Sequence, residues 1–239
     1  MEIQIAVAKT NKFSSDESGD TLEVIERPMG GVSVVLADAK SSGRSAKAVS
    51  SMVVHQVIGL IAEGVRDGAA ARAASDFLYT QRSGETSAYL SILSADLQTG
   101  TIVITRNNPT PVYIARWDRI DKISGECSEI GTSRDIKPAV SEIPLEPETT
   151  IVLYTDGVEN AGKQYSQELN FPLMLESLLE DTLITSQEIA DFLLLKAIQT
   201  DHNRPSDDMS VIVLRTLSHG NDQIRRMTVR LPVTQHPAP

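Results

Sequence analysis

The sequence predicts a layered α/β (α+β) sandwich built from antiparallel-type strands, and not a doubly wound parallel sheet. Three observations carry this. Strand-like and helix-like segments come in blocks, as strands, two helices, strands, two helices and a strand, whereas a doubly wound sheet alternates strand and helix. Within a block, turn signals such as Met29-Gly30-Gly31 and Leu97-Gln98-Thr99-Gly100 separate the strands, as hairpin neighbours require. The first pair of helices is long enough to cover a sheet face.

Each element has its own signal. Residues 2–8 alternate, with Ile3, Ile5 and Val7 on one side, as in a half-buried strand. Residues 12–19 are polar and deliver Ser18-Gly19-Asp20 directly before a second strand at 22–25. Residues 32–37 (VSVVLA) make a third strand that ends at Asp38. Residues 45–65 repeat Ala46, Val49, Val53, Val57, Leu60 and Ile61 at helical spacing, and an Ala-rich helix follows over 67–81. Strands are expected at 87–95, 101–105 and 111–116, and residues 117–148 read as irregular, Pro-punctuated chain with short strands at best.

Residues 151–154 (IVLY) form an uninterrupted apolar run, the pattern of a strand buried on both faces, and they stop at Thr155-Asp156-Gly157. Helices follow over 171–180 and 186–199, the second opened by a capping box of Thr185 and Glu188. A polar loop at 201–208 leads to a last buried strand, 209–214. These elements make one domain over residues 1–217. The tail, 218–239, differs: Met227, Val229, Leu231 and Val233 alternate with Thr228, Arg230 and Pro232. An extra strand is expected there, confined to an edge by its proline and able to join an oligomer.

With 239 residues, 41% hydrophobic and 23% charged, the chain has the composition of a globular protein. Aromatics are only 4%, so Val, Ile, Leu and Ala must build the core. A formal charge of −10 argues against nucleic acid or an anionic membrane as a partner. A single cysteine, Cys127, rules out an internal disulfide framework and fits a reducing compartment. Residues 1–10 lack a signal-peptide pattern, and no apolar run approaches the ~20 residues that span a bilayer. A cytoplasmic protein with no membrane partner is expected.

Four aspartates share a setting. Asp20 sits where a loop meets a strand, Asp38 and Asp156 where apolar strands end, and Asp207 in Ser206-Asp207-Asp208 just before the last strand. One aspartate at a strand end is an ordinary turn or cap residue. Asp-Gly alone reads as a hairpin, although residues 158–162 do not alternate like a return strand. If the strand ends converge, four carboxylates pool there and raise one another's pKa values. Hard oxygen ligands of this kind suit Mg²⁺ or Mn²⁺. Two such ions roughly 3.5–4 Å apart can generate a hydroxide and clamp a phosphoryl group.

The blocks holding these aspartates resemble the metal-dependent protein phosphatases of type 2C, most closely the bacterial stage II sporulation protein E-like phosphatase domain. Ser18-Gly19-Asp20, Ala37-Asp38-Ala39 with Gly43 and Ala46, Tyr154-Thr155-Asp156-Gly157-Val158, and Asp207-Asp208-Met209-Ser210-Val211 match family blocks in order, over most of residues 1–216. The resemblance implies a four-layer α-β-β-α sandwich, two antiparallel sheets flanked by helix pairs. It implies hydrolysis of phosphoserine or phosphothreonine by water activated on two Mn²⁺ or Mg²⁺ ions, without a protein nucleophile. By position it assigns Asp38 to both ions, Asp156 and Asp207 to the first, and Asp20 with the Ala39 carbonyl to the second. Asp208 is left an outer or structural role. The implied substrate is a phosphorylated protein, such as an anti-sigma-factor antagonist.

The chain also departs from the family. Lys40-Ser41-Ser42-Gly43 stands where a glycine-rich loop is usual, so Lys40 either supplies a lost positive charge or is simply solvated. Asn107-Asn108-Pro109 and Glu159-Asn160-Ala161 differ as well. The altered loop motivates a rival reading, a metal-binding module of the same fold that turns over poorly or not at all. A hydrolase of small phosphoesters would use the same residues. Among the histidines, His55, His219 and His236 read as structural or solvated. His202, five residues before Asp207, is a candidate proton donor, though metal-activated water is the simpler acid.

Overall fold

In the computed structural model, which describes residues 1–40, 43–117, 119–218 and 224–232, ten strands and five helices follow the expected order. The first half contains β1 (Glu2–Thr10), β2 (Thr21–Glu26), β3 (Gly31–Ala39), α1 (Gly43–Ala62), α2 (Asp67–Arg82), β4 (Ala88–Asp96) and β5 (Thr101–Asn107). The second half contains β6 (Val112–Arg116), β7 (Arg119–Ile123), β8 (Ala139–Pro144), β9 (Thr149–Tyr154), α3 (Asp156–Glu159), α4 (Phe171–Leu179), α5 (Ser186–Thr200) and β10 (Met209–Leu217). One five-stranded sheet runs β1-β10-β9-β6-β7 and the other β2-β3-β4-β5-β8. Every pairing between these strands is antiparallel.

The central strands are apolar on both faces because each face serves a different layer. On β9, Ile151 and Leu153 join the cluster between the sheets, and Val152 and Tyr154 pack toward α4 and α5. Val34 and Leu36 on β3 face the other sheet, while Val35, Ala37 and Ala39 face α1 and α2. Strand periodicity of two divides one run of residues between two cores in this way. The result is four layers, α-β-β-α, as expected.

Helix α1 is the one helix among the described residues long and apolar enough to cross a membrane by length and composition. Its Val49, Val53, Val57 and Ile61 are buried in the core beneath it. The capping box of α5 is present: the Thr185 side chain accepts from the Glu188 N–H at 3.1 Å, and Glu188 accepts from the Thr185 N–H at 2.7 Å.

Two regions refine the sequence reading. Residues 117–148 supply the edge strands β7 and β8 of the two sheets. In the tail, residues 224–232 belong to neither sheet, and Met227, Val229 and Leu231 are exposed. The expected edge strand therefore does not form within the described part of the tail. Ser41, Ser42, His219, Val233 and His236 lie outside the described residues.

Candidate metal centre

Strand pairing places the aspartates two to a sheet, and the Ser210 hydroxyl donating to Asp20 across the sheets puts both pairs at one end of the sandwich. Thr21 of β2 pairs with Ala37 of β3, so Asp20 enters beside the strand end that carries Asp38. Val211 of β10 pairs with Tyr154 of β9, so Asp207 enters beside the strand end that leads to Asp156. Each sheet thus contributes one aspartate from a strand start and one from a strand end.

The Thr155-Asp156-Gly157 and Asp207-Asp208 segments are locked together through backbone. The Thr155 N–H donates to the Ser210 carbonyl at 3.0 Å, and the Ser210 N–H donates to Thr155 Oγ1 at 2.9 Å. A Cβ on Gly157 would stand 2.0 Å from the Asp208 carbonyl oxygen, closer than any side chain can approach. This contact accounts for the glycine, and Asp156 opens the single-turn helix α3 where a hairpin was the simplest sequence reading. Asp208 faces the other way. Its carboxylate accepts from the Lys12 N–H at 2.9 Å and the Gly19 N–H at 2.7 Å, closing the 12–19 loop so that Asp20 is held in place. The structural role expected for Asp208 is what the geometry gives.

Electrostatics at the centre are unfavourable for carboxylates alone. Asp20 is fully buried; Oδ2 accepts from Ser210 Oγ at 2.5 Å, while Oδ1 is buried with no hydrogen-bond partner. Burial pushes the Asp20 carboxyl up to about 6, against the Ser210 hydrogen bond and the Lys9 charge, with Asp208 and Asp156 adding to the rise. Burial, then the charges of Asp20 and Asp156, push Asp38 up to about 9. Asp207, at the exposed rim, is raised by partial burial of its carboxyl; the Asp208 N–H at 2.9 Å opposes this, and Asp156 and Asp208 add to it. Among the described residues no three acidic, His or Cys side chains are drawn tightly enough to hold an ion as they stand.

Several contributors have no signature in the sequence. Asp201, fully buried, accepts from the Gly162 N–H at 2.7 Å and from the Ser206 N–H and Oγ, both at 2.8 Å. It ties the chain after α3 to the residue before Asp207. Lys9 and Lys47 each donate to the Asp20 carbonyl at 2.9 Å. Lys40 is exposed but paired: its ammonium lies 3.3 Å from Asp156 Oδ2 and 3.6 Å from the Tyr89 ring centroid.

The departures from the family pattern find structural uses. Asn108 and Thr110 are buried, and Thr110 Oγ1 donates to the Tyr154 carbonyl at 3.0 Å beneath the Asp156 turn. Glu159 accepts from the Tyr154 hydroxyl at 2.8 Å. His202 is exposed and stacks on Tyr165, with ring centroids 3.8 Å apart. His55 is exposed on α1, and Cys127 is a half-buried free thiol.

Hard divalent cations fit this donor set. The buried, unpartnered Oδ1 of Asp20 and the clustered Asp38 carboxyl beside it offer such a cation hard oxygen donors.

The architecture is that of the type 2C phosphatase domain. A structure of that domain with part of the regulatory domain of the cell fate determinant SpoIIE from Bacillus subtilis aligns over 90% of this chain and 63% of its own, at a TM-score of 0.73 and 23% identity. The catalytic domain of the serine/threonine phosphatase PstP, solved with two manganese ions, aligns over 90% and 99% at a TM-score of 0.70 and 14% identity. The sequence model for stage II sporulation protein E (SpoIIE) matches residues 28–217, and the chain belongs to that family. Stage II sporulation protein E from Priestia megaterium is 23% identical over 214 residues, covering 89% of this chain. The chain spans 36% of the length of that relative and 24% of its Bacillus subtilis counterpart.

Proposed function

We propose that this chain is a metal-dependent protein serine/threonine phosphatase, a phosphoric monoester hydrolase acting with two Mn²⁺ or Mg²⁺ ions. The observation that carries it is the pooling of Asp20, Asp38, Asp156 and Asp207 at one sandwich end, with Asp20 Oδ1 buried and unpartnered. Asp38 would reach both ions, Asp156 and Asp207 the first, and Asp20 with the Ala39 carbonyl the second. The bound ions supply an acidified water and neutralise phosphoryl charge. The chain's own work is to hold the carboxylates in place. Asp208 fixes the loop before Asp20, and Asp201 fixes the segment before Asp207. Ser210 orients Asp20 by donating to Oδ2, which leaves Oδ1 for a cation.

The substrate is a phosphorylated protein, with a phosphoserine on a small bacterial regulator such as an anti-sigma-factor antagonist as the specific candidate, and the setting is the cytoplasm. The SpoIIE family and the phosphatase relatives support this reading. Assembly through residues 227–233 would place the tail's alternating apolar residues on a partner's sheet edge. The test is Mn²⁺-dependent phosphate release from a phosphoserine peptide and from a small aryl phosphate. Release from the peptide with a clear preference over the aryl ester is expected. Turnover of the aryl ester alone would point to a small-molecule hydrolase, and turnover of neither with Mn²⁺ bound would leave a binding module.

A further inference from the structure

Lys40 follows Asp38-Ala39 at the end of β3, and its N–H donates to the Ser87 carbonyl at 3.0 Å. This fixes its backbone beside β4, where Tyr89 is the direct cross-strand partner of Asp38. The Lys40 ammonium lies 3.6 Å from the Tyr89 ring centroid, and its side chain is 34% exposed. An aromatic face attracts an ammonium through its charge. The second contact, 3.3 Å to Asp156 Oδ2, is with a carboxylate that the proposed metal site claims for itself.

The other lysines around the centre are engaged differently. Lys9 and Lys47 both donate to the backbone carbonyl of Asp20, a partner that a bound cation does not remove. Lys40 alone among these three is paired to a candidate ligand carboxylate. When cations occupy the carboxylates, its ion pair weakens by competition and by like-charge repulsion. The Tyr89 ring, 3.6 Å from the ammonium, still holds it at the rim of the centre.

We propose that Lys40, held on the Tyr89 face, is the phosphate-binding residue of this site. This rests on the phosphatase reading above. It also gives Lys40 a use where the sequence departs from the glycine-rich pattern: a cation beside Asp38.

The test compares wild type, Lys40→Met, Lys40→Arg and Tyr89→Leu, each loaded with Mn²⁺. Inorganic phosphate binding is measured by calorimetry, and KM and kcat with a phosphoserine peptide. Lys40→Met is expected to weaken phosphate binding and raise KM about tenfold, the value of one charge-assisted hydrogen bond. Its kcat changes less, and its Mn²⁺ affinity stays equal or tightens. Lys40→Arg retains most of the binding, and Tyr89→Leu lies between. Unchanged phosphate affinity in Lys40→Met overturns the proposal, as does weakened Mn²⁺ binding, which would make Lys40 a support of the metal geometry. If the wild type hydrolyses no ester, the phosphatase reading fails, while phosphate binding still decides the role of Lys40. Absence of phosphate binding by Mn²⁺-loaded wild type overturns it too.

Discussion

Replacing Asp38 by Asn should stabilise the metal-free protein, the reverse of what removing a buried polar partner usually does. Asp38 is pushed up to about 9 in the folded chain from an ordinary 3.8, mainly by burial and then by Asp20 and Asp156. Between those two values the folded chain holds a proton that the unfolded chain releases. Stability therefore falls as pH rises through that window. At pH 7 the resulting cost is about 4 kcal/mol at most, taking about 1.4 kcal/mol per pH unit, and entry of water relieves part of it. Asparagine keeps the shape and has no proton to release on unfolding. A gain of on the order of 1–3 kcal/mol is expected, or roughly 2–4 °C in Tm for each kcal/mol in a chain of this size. The assay is thermal unfolding in EDTA from pH 5 to 8 for both proteins. Wild type should lose stability steadily across that range, and Asp38→Asn should keep only the smaller slope from Asp20, whose carboxyl burial pushes up to about 6. A lower Tm for Asp38→Asn with an unchanged pH slope would refute the claim that the raised Asp38 carboxyl costs this fold stability.

Three further outcomes follow from the same geometry. Asp201→Ala deletes the acceptor of three hydrogen bonds and leaves the Gly162 and Ser206 donors unsatisfied; a loss of about 3 kcal/mol, read by urea unfolding, should come with weaker Mn²⁺ binding, and intact binding would contradict its positioning role. Gly157→Ala forces a Cβ to within 2.0 Å of the Asp208 carbonyl and should cost about 3 kcal/mol or more through overpacking against backbone; a wild-type melting curve would show that the two segments separate freely. Saturation with Mn²⁺ at about 100 times its Kd should raise stability by about 2.7 kcal/mol, and Asp156→Asn should remove most of that rise in a thermal-shift titration.

The fold was legible where a single signal is decisive. The IVLY run at 151–154 is apolar throughout because Ile151 and Leu153 enter one core and Val152 and Tyr154 another, and helix α1 shows its stripe at Val49, Val53, Val57 and Ile61. The aspartates were legible as a set because each adjoins a strand terminus. Other features depend on partners far away in the chain. Asp201 looks like a solvated loop residue, and its burial arises from donors at Gly162 and Ser206. Nothing local distinguishes Lys40 from a surface lysine; Tyr89, on the next strand, makes its environment. The turn at Asp156 read as a possible hairpin since Asp-Gly is a strong local cue, and the pressing of Asp208 against Gly157 is what selects α3 instead. The short edge strands β7 and β8 owe their conformation to the sheets they join more than to their own residues.

The central claim is that the carboxylates at this sandwich end hold the ions on which turnover depends. Its most direct test is phosphate release from a phosphoserine peptide as Mn²⁺ is titrated into EDTA-stripped wild type and Asp38→Asn, with folding of both checked by circular dichroism. Activity should rise from zero with Mn²⁺ in wild type and stay at background in Asp38→Asn at every concentration. Metal-independent hydrolysis by wild type, or Mn²⁺-dependent activity in folded Asp38→Asn comparable to wild type, would contradict it.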